Sequence, residues 1–220
     1  MRVPFFLLLL LQTATPEDGL PILPPNAKIE FYKVISCVEA SPTFMHVYPA
    51  ELSDLNICYQ ITASYTTDYV WQMQTTGVGR RVEIRFDTVR LPRPMQVAYP
   101  RSPDELLSHW EQDGCFLVAQ NGDEEVVGFI DARPQPEQGI LWVSNLVVDR
   151  PFRRQGYGVL LLKSAQEWAM RHRLSNIMLE IQTKNFPAIS FAQKFGFHFC
   201  GYNEHYFKNG DIALYFYQTI

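Results

Sequence analysis

Asp149-Arg150-Pro151-Phe152-Arg153-Arg154-Gln155-Gly156-Tyr157-Gly158 is the stretch on which the fold turns. It follows an apolar run that ends at Val148 and precedes a helical pattern that begins near Tyr157. Gly156 and Gly158 let the backbone come close to a ligand, and the free amides and dipole of a helix start favour an anion there. Arg153 and Arg154 place guanidinium groups where phosphate oxygens would sit. The expected ligand is a phosphate or pyrophosphate. The loop is neither of the usual nucleotide loops, because no Lys-Ser or Lys-Thr follows it and the first glycine of G-x-G-x-x-G is missing. A glycine-bearing strand-to-helix turn with surface arginines also fits any α/β protein, so the flanking segments decide.

Downstream, Leu161, Leu162, Ala165, Trp168 and Ala169 repeat at helical spacing, and Arg171, His172 and Arg173 suit a helix C-terminus, which predicts a helix over residues 158–173. Residues 176–182 read as a strand, Pro187 opens a helix that Gly196 stops, and residues 197–201 and 212–217 close the chain as strands. Upstream, residues 116–120, 126–132 and 141–148 read as an antiparallel meander whose first turn spans residues 121–125. The strand, helix, strand order from 141 to 182 places a parallel pair inside a mixed sheet, an α/β class of fold. Further back, Ser102 with Glu105 forms a capping box for a helix ending at Gly114, and Val82, Ile84 and Phe86 alternate along a half-buried strand over residues 82–91. Ser53 caps a helix through Ile61, and residues 43–47 read as a short strand.

Residues 1–27 read as a flexible or signal-like tail, with Pro16, Gly19, Pro21, Pro24 and Pro25 excluding regular structure. Arg2 and the apolar run 5–11 imitate a secretory signal, yet a cut after Ala14 puts Gln12 where a small residue is needed. A cytoplasmic location is expected, with secretion as the alternative. The run is far below the roughly 20 apolar residues of a membrane span, so no span is expected. Residues 28–42 form an extra segment in which 29–38 fits a strand or a short helix. The 220 residues, 47% of them hydrophobic, bury a full core and exclude disorder. A net charge of -4 argues against holding nucleic acid by counterion release. That total conceals segregation: residues 150–173 carry six cations against one acid, and residues 101–149 carry two against ten. Cys37, Cys58, Cys115 and Cys200 have neither zinc-site spacing nor disulfide-scaffold density, so no metal is expected.

Arg153, Gly156 and Gly158 also resemble motif A of the GNAT N-acetyltransferases, [Q/R]-x-x-G-x-[G/A]. Asn145-Leu146-Val147-Val148-Asp149 is similar to the family's fourth strand. Asn185-Phe186-Pro187-Ala188, Phe191 and Lys194-Phe195-Gly196-Phe197 resemble motif B, and Val47 to Ala50 with Asp54-Leu55 looks like the first strand and turn. The resemblance covers residues 43–220 as one acetyltransferase domain, and Leu179 to Gln182, the Asn185 block and residues 201–217 look most like the streptothricin-type antibiotic acetyltransferases. It implies acetyl-CoA as donor, a primary amine of a small molecule as acceptor, direct transfer, no metal, and a monomer or homodimer. The alternatives are a protein or peptide acceptor, or a catalytically silent coenzyme A-binding module. The pyrophosphate would sit on the amides of Arg154, Gln155, Gly156, Tyr157, Gly158 and Val159. Leu146, Val147 and Val148 would offer backbone to the pantetheine, with Asn185 and Phe191 beside it.

The chain departs from the family at two points. The tyrosine that commonly serves as general acid is replaced by Ala192, and Ser144 and Asn145 stand where a fourth-strand acid is often the base. Glu180 is the candidate base, with an ion pair as its structural alternative. Tyr206 is the candidate acid, with plain aromatic packing as the alternative. Tyr65, Tyr69 and Trp71 fall where the family builds its acceptor pocket, and core or lid packing suits them equally. The histidines, His109 among them, have no metal-ligand spacing and receive no role.

Overall fold

The computed structural model describes residues 45–77, 79–112 and 114–220. The tail, segment 28–42 and residues 43–44 of the first expected strand lie outside the described residues. Alternation of inward and outward side chains builds the central sheet. In β4 (Cys115–Gln120), Cys115, Leu117 and Ala119 join one apolar cluster while Phe116 and Val118 join another on the opposite face. Both faces are therefore covered.

The chain runs β1 (His46–Pro49), α1 (Leu52–Gln60), β2 (Tyr65–Thr76), β3 (Glu83–Val97), α2 (Leu106–Trp110) and β4, then β5 (Val126–Gln135), β6 (Ile140–Val148), α3 (Tyr157–Arg171), β7 (Asn176–Gln182), α4 (Phe186–Lys194), β8 (His198–Asn203) and β9 (Ala213–Thr219). A seven-stranded sheet has the order β1-β4-β5-β6-β7-β9-β8, and β2 and β3 form a separate ribbon. Among the described residues only β6 and β7 pair in parallel, joined by the α3 crossover, as the strand, helix, strand order requires. On one face α3 buries Leu161, Leu162, Ala165 and Ala169 with Ile189 and Ala192 of α4. Each fully buried leucine contributes about 1.5–3 kcal/mol. On the other face, α1 and α2 bring Leu55, Cys58 and Leu106 against Phe129 and Val147.

Three expectations need correction. The strand expected over residues 43–47 is found at His46–Pro49. Glu51, not Ser53, caps α1, in a reciprocal box with Asp54. Ser102 caps a 3-10 turn (Pro103–Glu105) by accepting from Asp104 N, and Glu105 turns outward to Lys208 at 2.8 Å. β2 was not expected as a strand at all, although Tyr, Thr, Val and Trp dominate it. Trp71 packs against Phe86, Phe199 and Phe216, and its amide donates to Thr183 O at 2.9 Å, so the ribbon lies against the sheet beside β7. Among the described residues no helix is long and apolar enough to cross a membrane.

Candidate active site

The site begins where the parallel pair stops pairing. β6 and β7 are in register only from Ile140 with Asn176 to Val143 with Leu179. The next residue, Ser144, is an extra one: Val143 pairs with Ala132 and Asn145 with Asp131, leaving Ser144 as a bulge. A bulge bends its strand and ends pairing. From there β6 stays with β5 while β7 stays with β9 as far as Gln182, which opens a gap. Asp149 N donates to Val127 O on β5 at 2.8 Å. Backbone polar groups alternate sides along a strand, so the backbones of Leu146 and Val148 face the gap and that of Val147 faces β5.

The end of β6 leads into the glycine loop. Arg154 at φ 68° and Gly156 at φ 104° are both in the left-handed region, the second being the N-cap of α3. Gly156 O accepts from Val159 N and Leu160 N, both at 3.0 Å, so the amides ahead of them point out of the helix end. A Cβ at Gly158 would sit 3.9 Å from both Val148 and Phe191, which places the loop, the gap and α4 together. An exposed anion-binding end beside an unpaired strand edge fits the pyrophosphate and pantetheine of a coenzyme A thioester.

On the α1 face lies a cavity of about 230 Å³. Its walls include Cys58 and Tyr59 of α1, Ser64, Tyr99 and Arg101, and Asn145 and Val147 of β6. Thus β6 presents its backbone to the gap and two side chains to the cavity.

The sequence also matches the acetyltransferase (GNAT) family over residues 86–197, half of the chain. The chain belongs to the GNAT acetyltransferase family. It is similar to a streptothricin acetyltransferase of Streptomyces lavendulae, 24% identical over 163 residues, 70% of this chain and 84% of the relative. It is also similar to an N-alpha-acetyltransferase of Sulfolobus acidocaldarius, 27% identical over 122 residues, 49% and 71% of the two chains. In fold it resembles a putative streptothricin acetyltransferase of Bacillus anthracis solved in complex with acetyl coenzyme A, with TM-score 0.66 and 21% identity over 80% of this chain and 99% of that one. The protein is an acetyl-CoA-dependent GNAT N-acetyltransferase.

Within this acetyltransferase the side chains singled out from the sequence are placed as follows. The Arg153 guanidinium turns away from the glycine loop, where phosphate oxygens were expected. It donates to Val148 O and Ser64 O, each at 2.8 Å, and to Thr62 O, while Thr62 N donates to Asp149 Oδ1 at 3.2 Å. Arg153 therefore laces the cavity wall after α1 to the loop. Val147, expected at the pantetheine, lines the cavity instead. Asn185 caps α4 through Oδ1, accepting from Ala188 N at 3.1 Å, which leaves Nδ2 as its donor. Phe191 stacks on Phe195 beside Gly158, and Ala192 is fully buried.

Glu180 and Tyr206 are brought together, but not as an open acid and base. The Glu180 side chain is 2% exposed; one oxygen pairs with Arg101 and the other accepts from Trp142 Nε1. Tyr206 lies beside Glu180 and Arg101, and burial followed by the Glu180 charge raises its phenol pKa. The expected ion-pair alternative for Glu180 is the arrangement found, with Arg101 rather than a loop arginine as partner. Tyr65, expected at the acceptor pocket, donates to Gln182 Oε1 at 2.8 Å and helps seal the far side of the gap.

Sequence reasoning missed Tyr99, Arg101, Asp131 and His109. His109 Nδ1 lies 2.6 Å from Asp131 Oδ2, which also accepts from Asn145 Nδ2 at 2.7 Å; Tyr99 donates to Asn145 Oδ1 at 2.9 Å. Arg133 Nη2 bonds His109 Nε2. The signal was available in part, since Asp131 interrupts an apolar strand and a buried charge needs partners.

Proposed function

We propose that this acetyltransferase moves an acetyl group from acetyl-CoA to a primary amine of a small molecule, by direct attack with both substrates bound. One observation carries the reading: the cavity beside the β6 and β7 gap holds about 230 Å³. That is below the roughly 300–1,000 Å³ of sites for drug-sized ligands, so it suits a single amine-bearing arm. The similarity to a streptothricin acetyltransferase supports the same reading.

Acetyl-CoA supplies the activated acetyl thioester. The loop amides of Arg154, Gln155, Gly156, Tyr157 and Gly158 hold its pyrophosphate, the Val159 amide, also expected there, being taken by Gly156 O, and Leu146 and Val148 pair with the pantetheine as an added strand does. Asn185 Nδ2 donates to the pantetheine arm. Tyr59, Tyr99 and Arg101 shape the space in which the amine is held for attack. With both Glu180 oxygens engaged, we assign Glu180 and Tyr206 to fixing Arg101 and let the ammonium proton leave through water. The leaving thiol, with an ordinary pKa near 8.5, departs without an acid at the Ala192 position.

The test is thiol release from acetyl-CoA with lysine methyl ester, spermidine, streptothricin and a peptide with a free N-terminus. Small amines are expected to give the higher kcat/KM. A faster peptide would favour the acceptor class of the N-alpha relative, and acetyl-CoA binding without turnover of any amine would leave a coenzyme-binding module.

A further inference from the structure

The buried chain from Arg133 to Tyr99 has a direction that its chemistry dictates. Arginine has only donors, so in the contact between Arg133 and His109 it is Nε2 of the imidazole that accepts. His109 then carries its proton on Nδ1 and donates it to Asp131 Oδ2 at 2.6 Å. A carboxylate only accepts. The second contact to Asp131, at 2.7 Å, must therefore come from the amide nitrogen of Asn145, which turns the Asn145 carbonyl toward Tyr99. Tyr99 can only donate to it. Its proton is committed inward, so what its hydroxyl can offer to the cavity that Tyr99 and Asn145 both line is a lone pair.

We propose that the Tyr99 hydroxyl is the acceptor-side contact of the reacting amine, accepting an N–H from it, and that Asp131 with His109 serves to fix that polarity. This rests on the amine-acetylating reading above. The amine stands at the cavity end of β6, whose other side carries the thioester gap, so an N–H held by Tyr99 turns the nitrogen lone pair toward the gap. The network is not a proton wire, because the Asn145 amide between Tyr99 and Asp131 cannot take up a proton and pass it on. Asp131 and His109 are thus positioning residues, 2% and 6% exposed and shut off from the cavity. Tyr99 selects a donor in the pocket: it favours the amine and disfavours an acceptor at the same place, such as the carbonyl of an acetylated product.

The experiment uses the whole chain and the amine from the panel above that turns over fastest. Tyr99→Phe keeps the ring and removes the lone pair. It should leave the thermal protection by acetyl-CoA intact while the amine KM rises about tenfold, the loss of one hydrogen bond to a charged or polar donor. Asp131→Leu removes the one oxygen that accepts from both His109 and Asn145, which frees the Asn145 amide to turn over and the Tyr99 O–H to reverse toward the cavity. It should raise the amine KM and tighten inhibition by the N-acetylated product, a crossing that general destabilisation does not produce. Wild-type turnover with an unchanged amine KM in Tyr99→Phe overturns this proposal and leaves the function standing. No amine turned over or bound by the wild type in the presence of coenzyme A overturns both. Should Tyr99→Phe lose coenzyme protection, Asp131→Leu decides alone: a parallel loss of amine and product affinity overturns the proposal.

Discussion

Replacing Glu180 by Gln separates a base from a strut. The substitution keeps the size and an oxygen for Trp142 Nε1 but removes the charge that balances Arg101. Breaking a buried ion pair by neutralising one member costs about 3–5 kcal/mol, because the other charge is left uncompensated. The Arg101 side chain is 17% exposed and opens onto the cavity. Water there relieves part of the penalty and sets the expectation at about 2–3 kcal/mol. For a chain of this size each kcal/mol moves Tm by roughly 2–4 °C, so a drop of about 4–12 °C is expected. Calorimetry with and without acetyl-CoA, alongside thiol release, reads both quantities. The double variant Glu180→Gln/Arg101→Met removes the stranded cation and should recover most of the lost stability. An unchanged Tm with a hundredfold fall in kcat would refute the reasoning and restore Glu180 as the base.

Other perturbations reach the remaining parts of the site. Arg153→Lys supplies one point charge where three carbonyls are now served; it should raise the amine KM and leave acetyl-CoA affinity within about twofold, and a selective loss of acetyl-CoA binding would return Arg153 to the pyrophosphate. Gly156→Ala meets only Met45 at 3.8 Å but must hold φ 104°, costing about 1–2 kcal/mol. Gly156→Asp adds a carboxylate at the anion site and should abolish the Tm increase given by acetyl-CoA, which Gly156→Ala retains; equal protection of both would sink the pyrophosphate assignment. Burial pushes the Cys58 and Cys115 thiols up to about 12 from an ordinary value near 9. The unfolded chain then releases these protons first, so their contribution is whole below about pH 9 and declines between there and about pH 12. Urea midpoints should fall from pH 8 to pH 10.5, and a flat profile would contradict the burial of these thiols.

Local pattern carried much of the fold and little of the polar wiring. Residues 176–182, read as a strand, are found as β7, with Ile177, Leu179 and Ile181 buried on alternate positions. Leu161 to Ala169 mark the buried face of α3, and Gly156 marks its start because only glycine takes φ 104° at little cost. β2 escaped because its aromatic residues were read as a pocket, and the long β3 that pairs with it was read only as far as Leu91. Glu51 displaced Ser53 as a cap because Asp54 answered it from three positions on. The contacts that organise the cavity lie far apart in the chain: Arg101 meets Glu180 across 79 positions and Tyr99 meets Asn145 across 46. No periodicity encodes such pairings, which depend on strand order and on how far each strand runs beside its neighbour.

That bulge has a consequence for what the enzyme could become. Val143 and Leu146, three positions apart, pack on one cluster, while Asn145 between them turns to the cavity. Removing Ser144 would therefore leave every neighbour facing as it does now, with Asn145 still turned to the cavity and Leu146 still under α3. The shortened strand is then expected to extend its pairing with β7 and narrow the gap, which loss of acetyl-CoA protection against heat in a Ser144 deletion would read.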